Sequence, residues 1–234
     1  MAEWRALRGW SETELAHRLK HACSLGRNFS APDREMTPRN GWHRYQSESI
    51  IAHEDPGPPA PDGPFARARV AVENFQFSDP DIVVGHFDPG RPLHGRPMLL
   101  EIRVWGLRYL SGVVISDVAR DTDPGGTRAG FRYDTLEGHI ERGFEWFLLS
   151  KDHRTGTIHF RIDSAWRPGD FPNWWSRAGF ALLSRHFQER WHRNAHGRLF
   201  LLAHHGGLQP PARARGRLAH EGPEVVFRYL RARG

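Results

Sequence analysis

Cysteine and lysine are nearly absent from this chain of 234 residues. Cys23 is the one cysteine, and all but two of the 33 basic residues are arginine, the exceptions being Lys20 and Lys151. A single cysteine excludes a disulfide within the chain, and with it the stapled frameworks of small secreted domains; a cytoplasmic location is expected. Long apolar runs are missing too. Met1 to Trp10 is charged and holds no apolar stretch of signal-peptide length. The strongest late run, Leu199 to Ala203, is far shorter than the ~20 residues of a membrane span. No Gly-rich strand-to-helix phosphate loop appears, which excludes a doubly wound nucleotide-binding fold, and no Gly-x-Ser-x-Gly elbow marks a serine nucleophile. Cys23 has no His or Asp partner nearby that would make it one.

The net charge of +6 is unevenly placed. After Gly206, Arg213, Arg215, Arg217, Arg228, Arg231 and Arg233 outnumber Glu221 and Glu224. A nucleic-acid binder carries its basic face on the folded body. An excess gathered in a tail argues against nucleic acid as the partner. Aromatic residues, by contrast, are plentiful, with nine Trp and fourteen Phe. They suffice for a core, and a sheet rich in them can also line a cavity for an apolar ligand.

Ser11-Glu12-Thr13-Glu14 has the form of a capping box, and Leu15, Ala16, Leu19 and Ala22 follow at helical spacing, so a helix is expected over 12–23. Trp42 to Ile51 is a first strand. Four prolines between His53 and Gly63 make a loop, and Pro64 opens a helix carrying Phe65, Ala68, Val72 and Phe75. Six strands follow, over 82–87, 98–105, 109–119, 129–136, 144–151 and 157–165, separated by turn-forming clusters such as Asp123-Pro124-Gly125-Gly126. Short connections of this kind imply antiparallel pairing. From Asn173 to Ala203 the apolar period is helical, giving a helix of ~30 residues and ~45 Å. The order predicts an α+β helix-grip fold: a curved antiparallel sheet of about seven strands around a long C-terminal helix. The expected organisation is a helical extension over 1–39, the helix-grip domain over 40–205 and a basic tail over 206–234. In that tail 225–230 either adds an edge strand or stays free.

Phe131-Arg132-Tyr133-Asp134-Thr135-Leu136-Glu137-Gly138-His139-Ile140-Glu141-Arg142-Gly143 resembles the aromatic-Tyr-x-Thr-Leu-x-Gly-His-x-Glu-x-Gly signature of domain-of-unknown-function family 1990, found in bacteria and plants. The likeness continues through Glu145-x-Phe147, Phe160-Arg161-Ile162, Arg167-Pro168 and the last helix, over about residues 40–200. Phe144 stands where the family tends to have a second Glu. The family is similar to the START and birch-pollen-allergen superfamily. This resemblance implies a deep apolar cavity between sheet and helix, and binding of lipids, sterols, polyketides or hormones, with some members catalysing cyclisation or hydration.

Candidate catalytic residues are His139 and Glu141, with Tyr133 and Glu145 close in sequence. A histidine can shuttle protons and a carboxylate can orient it. Gly138 and Gly143 bracket the pair, however, so the simpler reading is that it fixes a hairpin turn. Candidate ligand-lining residues are Trp175, Leu183, Phe187 and Trp191 on the long helix. Arg103 and Arg161 could hold a ligand carboxylate if they lie on the inner face. His192 and His196 have the four-residue spacing of a metal-binding pair, but without a third ligand they read as a solvated helix face, and no metal is expected. No cofactor is indicated, and oligomeric state is not legible. The function expected is binding of a small apolar molecule in the cavity. The alternative is a cavity enzyme (cyclase, hydratase or hydrolase) using the His139/Glu141 pair.

Overall fold

The computed structural model describes residues 3–6, 8–104, 106–169, 174–205 and 222–230; for 174–186 only the backbone is described. The first helix, α1 (Glu12–Ala22), starts on its capping box: Ser11 donates its amide to Glu14 Oε2 at 2.7 Å, and the Glu14 amide returns to Ser11 Oγ at 3.3 Å. The second, α2 (Pro64–Glu73), opens on its proline and buries Phe65, Ala68, Ala71 and Val72. The third, α3 (Trp174–His205), is the long C-terminal helix.

The described residues form nine strands: β1 (Glu3–Ala6), β2 (His43–His53), β3 (Val83–His86), β4 (Pro97–Val104), β5 (Leu107–Asp123), β6 (Gly126–Thr135), β7 (Glu141–Asp152), β8 (Thr157–Pro168) and β9 (Val226–Leu230). They make one antiparallel sheet in the order β3-β4-β5-β6-β7-β8-β2-β9, and β1 pairs with residues 107–110 of β5. Two strands exceed the expected seven. The tail adds the edge strand, since 226–230 pairs with Arg44–Glu48. β1 gave no sequence signal because four residues with a single strand-former are held by tertiary contacts: Glu3 is bridged by Arg5 and Arg18, and Trp4 packs at 4.8 Å on Tyr109. Residues 206–221 lie outside the described residues.

Alternation along the strands divides the molecule into two layers. One face carries Val113, Ile115, Phe131, Phe147, Leu149, Ile158, Phe160 and Ile162, which pack with α2 and with Trp191, Ala195, Leu199 and Leu202 of α3. This is the helix-grip core. The opposite face carries Leu99, Leu110 and Leu136 against α1, and Phe144 and Ala165 against Phe29, Met36 and Trp42. The N-terminal segment thus covers the convex side.

Close backbone approach shapes the middle of the sheet. Gly130 and Gly143 hold φ of 153° and 156°. A Cβ at either would stand 2.0 Å from a neighbouring carbonyl, that of Phe147 or of Ala165. Only glycine permits that approach.

At one end of the core a buried ion pair ties the sheet to α2. Lys151 Nζ donates to Glu54 Oε2 at 2.7 Å and to the Pro58 carbonyl at 3.1 Å, with the two side chains 1% and 5% exposed. Burial pushes the Glu54 carboxyl up, but Lys151 and the amides of Phe65 and Ala60 outweigh it and hold the group below the usual range. Lys151→Met should therefore cost about 3–5 kcal/mol in urea denaturation, because it strands a buried carboxylate. A loss below about 1 kcal/mol would show that the pair is not a structural tie.

Candidate functional site

The strand register sets one polar rung across the concave face. Tyr133 of β6 lies opposite Glu145 of β7, Glu145 opposite Ser164 of β8, and Ser164 opposite Tyr45 of β2. The next rung inward is Phe131, Phe147, Ile162 and Ser47. Side chains two apart on a strand share a face, so a carboxylate stands directly beside the aromatic core. The Tyr133 hydroxyl donates to Glu145 Oε2 at 2.5 Å. The Glu145 side chain retains 12% exposure, while His192 of α3 facing it retains 2%.

From Glu145 a polar chain runs into the grip between β2 and α3. His192 Nε2 faces Glu145 Oε1 at 3.5 Å. Ser47 Oγ is 2.7 Å from His192 Nδ1 and 2.8 Å from His196 Nε2, and Ser49 Oγ is 2.7 Å from His196 Nδ1. Ser47 has one proton to give, so it donates to one imidazole and accepts from the other. The carboxylate decides which. A lone pair on His192 Nε2 would face Glu145, so the proton belongs on that nitrogen. His192 Nδ1 then accepts from Ser47, Ser47 accepts from His196 Nε2–H, and His196 Nδ1 accepts from Ser49. One polarity runs through the whole chain and points at Glu145.

Burial governs the charge states. It pushes His196 down to about 3, and any positive charge on His192 would push it the same way, so His196 is neutral at physiological pH. Burial pushes Glu141 up to about 8, with the Glu145 charge adding to the shift. Glu141 therefore holds its proton at neutral pH. Burial and Glu145 also raise Tyr133 well above the usual phenol range, making it a donor and not a base. A proton-holding carboxyl, a phenol and a hydrogen-bonded carboxylate thus share one end of the interior.

Of the residues singled out from sequence, Tyr133, Glu141 and Glu145 come together here. His139 does not join them as a partner of the Glu141 carboxyl: it lies in the turn before β7, and its Nδ1 accepts the Glu141 amide at 2.9 Å. Gly138, with φ of 80°, belongs to that turn, but Gly143 lies inside β7, so Glu141 starts the strand instead of closing the turn. The solvated reading of His192 and His196 is corrected: they are 1% and 0% exposed, because their face meets Ser47 and Ser49 and not water. Arg103 and Arg161 are corrected as well. Arg103 shares the convex-face parity of Leu99 and pairs with Glu101 at 2.9 Å and the Pro80 carbonyl at 2.9 Å. Arg161 alternates with the core residues Phe160 and Ile162 and lies 3.9 Å from Asp163. Neither points into the grip. Trp191 is buried against Phe77 and Phe147 and donates to Ser78 Oγ at 3.0 Å. Phe187 is half-buried one turn earlier on the same helix face. The side chains of Trp175 and Leu183 lie outside the described residues. Ser47, Ser49 and Tyr45 escaped notice, although Tyr45-x-Ser47-x-Ser49 is a hydroxyl at every second strand position. Among the described residues no group of three metal-ligating side chains occurs, and no helix is long and apolar enough to cross a membrane.

Residues 27–197 match the model of a family described as "Domain of unknown function (DUF1990)". No curated protein matches the chain significantly. Among solved structures it is similar to Ara h 8.0201, at 14% identity and TM-score 0.36, over 70% of this chain and 95% of that one. It is also similar to a protein from Arthrobacter aurescens, at 10% identity and TM-score 0.38, over 78% and 99%. A third is a point mutant of Thalictrum flavum norcoclaurine synthase in complex with a transition-state analogue, at 8% identity and TM-score 0.32, over 64% and 94%. At these values the likenesses carry no functional weight, and the fold stands on the chain's own strand order.

The buried imidazoles predict a pH dependence of stability. Unfolded, His196 takes up a proton near its ordinary 6.5; folded, it resists until about 3. Its contribution is full above pH 6.5 and is lost as pH falls toward 3. Glu141 acts in the opposite sense: raised from 4.5 to about 8, its contribution is full below 4.5 and is lost as pH rises to 8. His196→Gln should make the acid limb shallower by up to about 1.4 kcal/mol per pH unit. Urea denaturation at several pH values reads this out, and an unchanged slope would contradict a neutral buried His196.

Proposed function

We propose, from the premise that this chain belongs to the DUF1990 family, that it encloses a small organic molecule between its sheet and C-terminal helix. The apolar body would rest on Phe147 and the helix face of Phe187 and Trp191, and a polar group would meet the rung of Tyr133 and Glu145. One observation carries this reading. Glu145 is turned toward an aromatic interior yet stays partly uncovered, at 12% side-chain exposure, between Tyr133 and His192. Bringing a carboxylate there is costly, and sites that bind small molecules combine an apolar lining with a few placed polar groups.

Native mass spectrometry of the purified protein, with its organic extract analysed alongside, tests the reading. A bound molecule with an apolar body is the expected result. Phe187→Arg should abolish its retention while leaving the melting temperature within a few degrees, because the new charge would stand in the cavity wall. Retention unchanged in Phe187→Arg would remove this helix face from the site.

A further inference from the structure

An interior built only to hold an apolar molecule gains nothing from a carboxylate, and a glutamine at 145 would avoid the desolvation cost. The polar chain must therefore do more than line a wall. A general base needs a lone pair facing the substrate and neighbours that keep it in place. Glu145 has both. Tyr133 holds one oxygen at 2.5 Å, and His192 stands at 3.5 Å from the other, itself fixed by Ser47, His196 and Ser49. A further proton lines the same face, on the Tyr133 hydroxyl, which holds it because burial and the Glu145 charge disfavour the phenolate. A base beside a neutral phenol donor suits a reaction in which a C–H proton leaves and negative charge gathers on an oxygen.

We propose that this rung catalyses proton transfer on a carbonyl compound with an acidic C–H next to the carbonyl, Glu145 being the base and Tyr133 the donor to the carbonyl oxygen. The proposal rests on the interior-binding reading. Glu145 takes the proton from the α-carbon; the C–H pair becomes the C=C bond of the enolate, and the C=O π pair moves to oxygen. A protonated Glu145 no longer needs the Tyr133 hydrogen, which turns to the enolate oxygen. Glu145 then returns the proton to the same carbon or, in an unsaturated substrate, to the γ-carbon. The net change is exchange or isomerisation, with no oxidant or co-reactant. His192 touches the base and not the substrate, so it is a positioning residue, as are Ser47 and His196.

The test uses 2-tetralone, an aromatic ketone with acidic α-hydrogens, and 2-naphthol, a stable aromatic analogue of its enol. Naphthol binding is read by quenching of tryptophan fluorescence, and α-hydrogen exchange of tetralone in D₂O by proton NMR. The full chain should bind naphthol and exchange the α-hydrogens faster than buffer at the same pH. Glu145→Gln should keep naphthol binding and lose at least about 100-fold in exchange. Tyr133→Phe should lose on the order of 100-fold with the same circular dichroism. Arg161→Gln, on the convex face, should match the unaltered protein. Naphthol binding with exchange at the buffer rate, or with exchange unaffected in Glu145→Gln, overturns the proposal and leaves the binding reading standing. No naphthol binding overturns both.

Discussion

The inward turn of Glu145 is the constraint around which the interior is organised. A carboxylate on the concave face of a sheet must be compensated, and each neighbour contributes to that compensation. Tyr133 meets it from the adjacent strand at 2.5 Å, and His192 meets it from the helix. His192 can present a proton to it only because Ser47 takes up the other ring nitrogen, and Ser47 can do so only because His196 supplies the next proton. Strand β7 reaches this position through Gly143, whose backbone passes so close to the Ala165 carbonyl that no side chain fits. Sheet, helix and tautomer are therefore set together, and a fault at any one would leave a charge in a low-dielectric interior.

The two faces of the sheet divide the electrostatic labour. On the convex side Glu101 gathers Arg103, Arg108 and His86 within 2.5–3.0 Å, and Asp134 gathers Arg27 and Arg132 within 2.6–3.2 Å. These arginine-rich networks fasten the N-terminal segment and the sheet edge, where partial water contact lowers the cost of charge. On the concave side, away from the Lys151–Glu54 pair, the Glu145 carboxylate is met by tyrosine, histidine and serine, groups that burial tolerates when they are hydrogen-bonded. The arginine bias of the composition is spent on the outside, which is why Arg103 and Arg161 do not serve the interior.

Much of the architecture was legible in the sequence because local signals and the global fold agree. Ser11 and Glu14 announce α1, Pro64 opens α2, and Asp123 accepts the amides of Gly125 and Gly126 in the turn its composition implied. The strand at Glu3–Ala6 was not legible, since its partners lie a hundred residues away. The site was legible in half. Strand parity places Glu141 and Glu145 on one face of β7, and the register adds Tyr133. For His139 the simpler of the two readings agrees with the structure: its ring nitrogen accepts the Glu141 amide in the turn and is not paired with the Glu141 carboxyl. His192 and His196 misled. Helical spacing shows that two rings share a face but not what that face meets, and the answer lay in Ser47 and Ser49 on a strand some 145 residues earlier.

One polarity runs from Ser49 to Glu145, fixes the tautomer of each imidazole and keeps His196 neutral. Histidine ¹⁵N chemical shifts at neutral pH, in protein labelled at the imidazole nitrogens, measure this directly. Both His192 and His196 should show a protonated Nε2 and an unprotonated, hydrogen-bonded Nδ1, and Glu145→Gln should disturb His192 before His196. A protonated Nδ1 on His192, or a cationic ring at His196, would contradict the account.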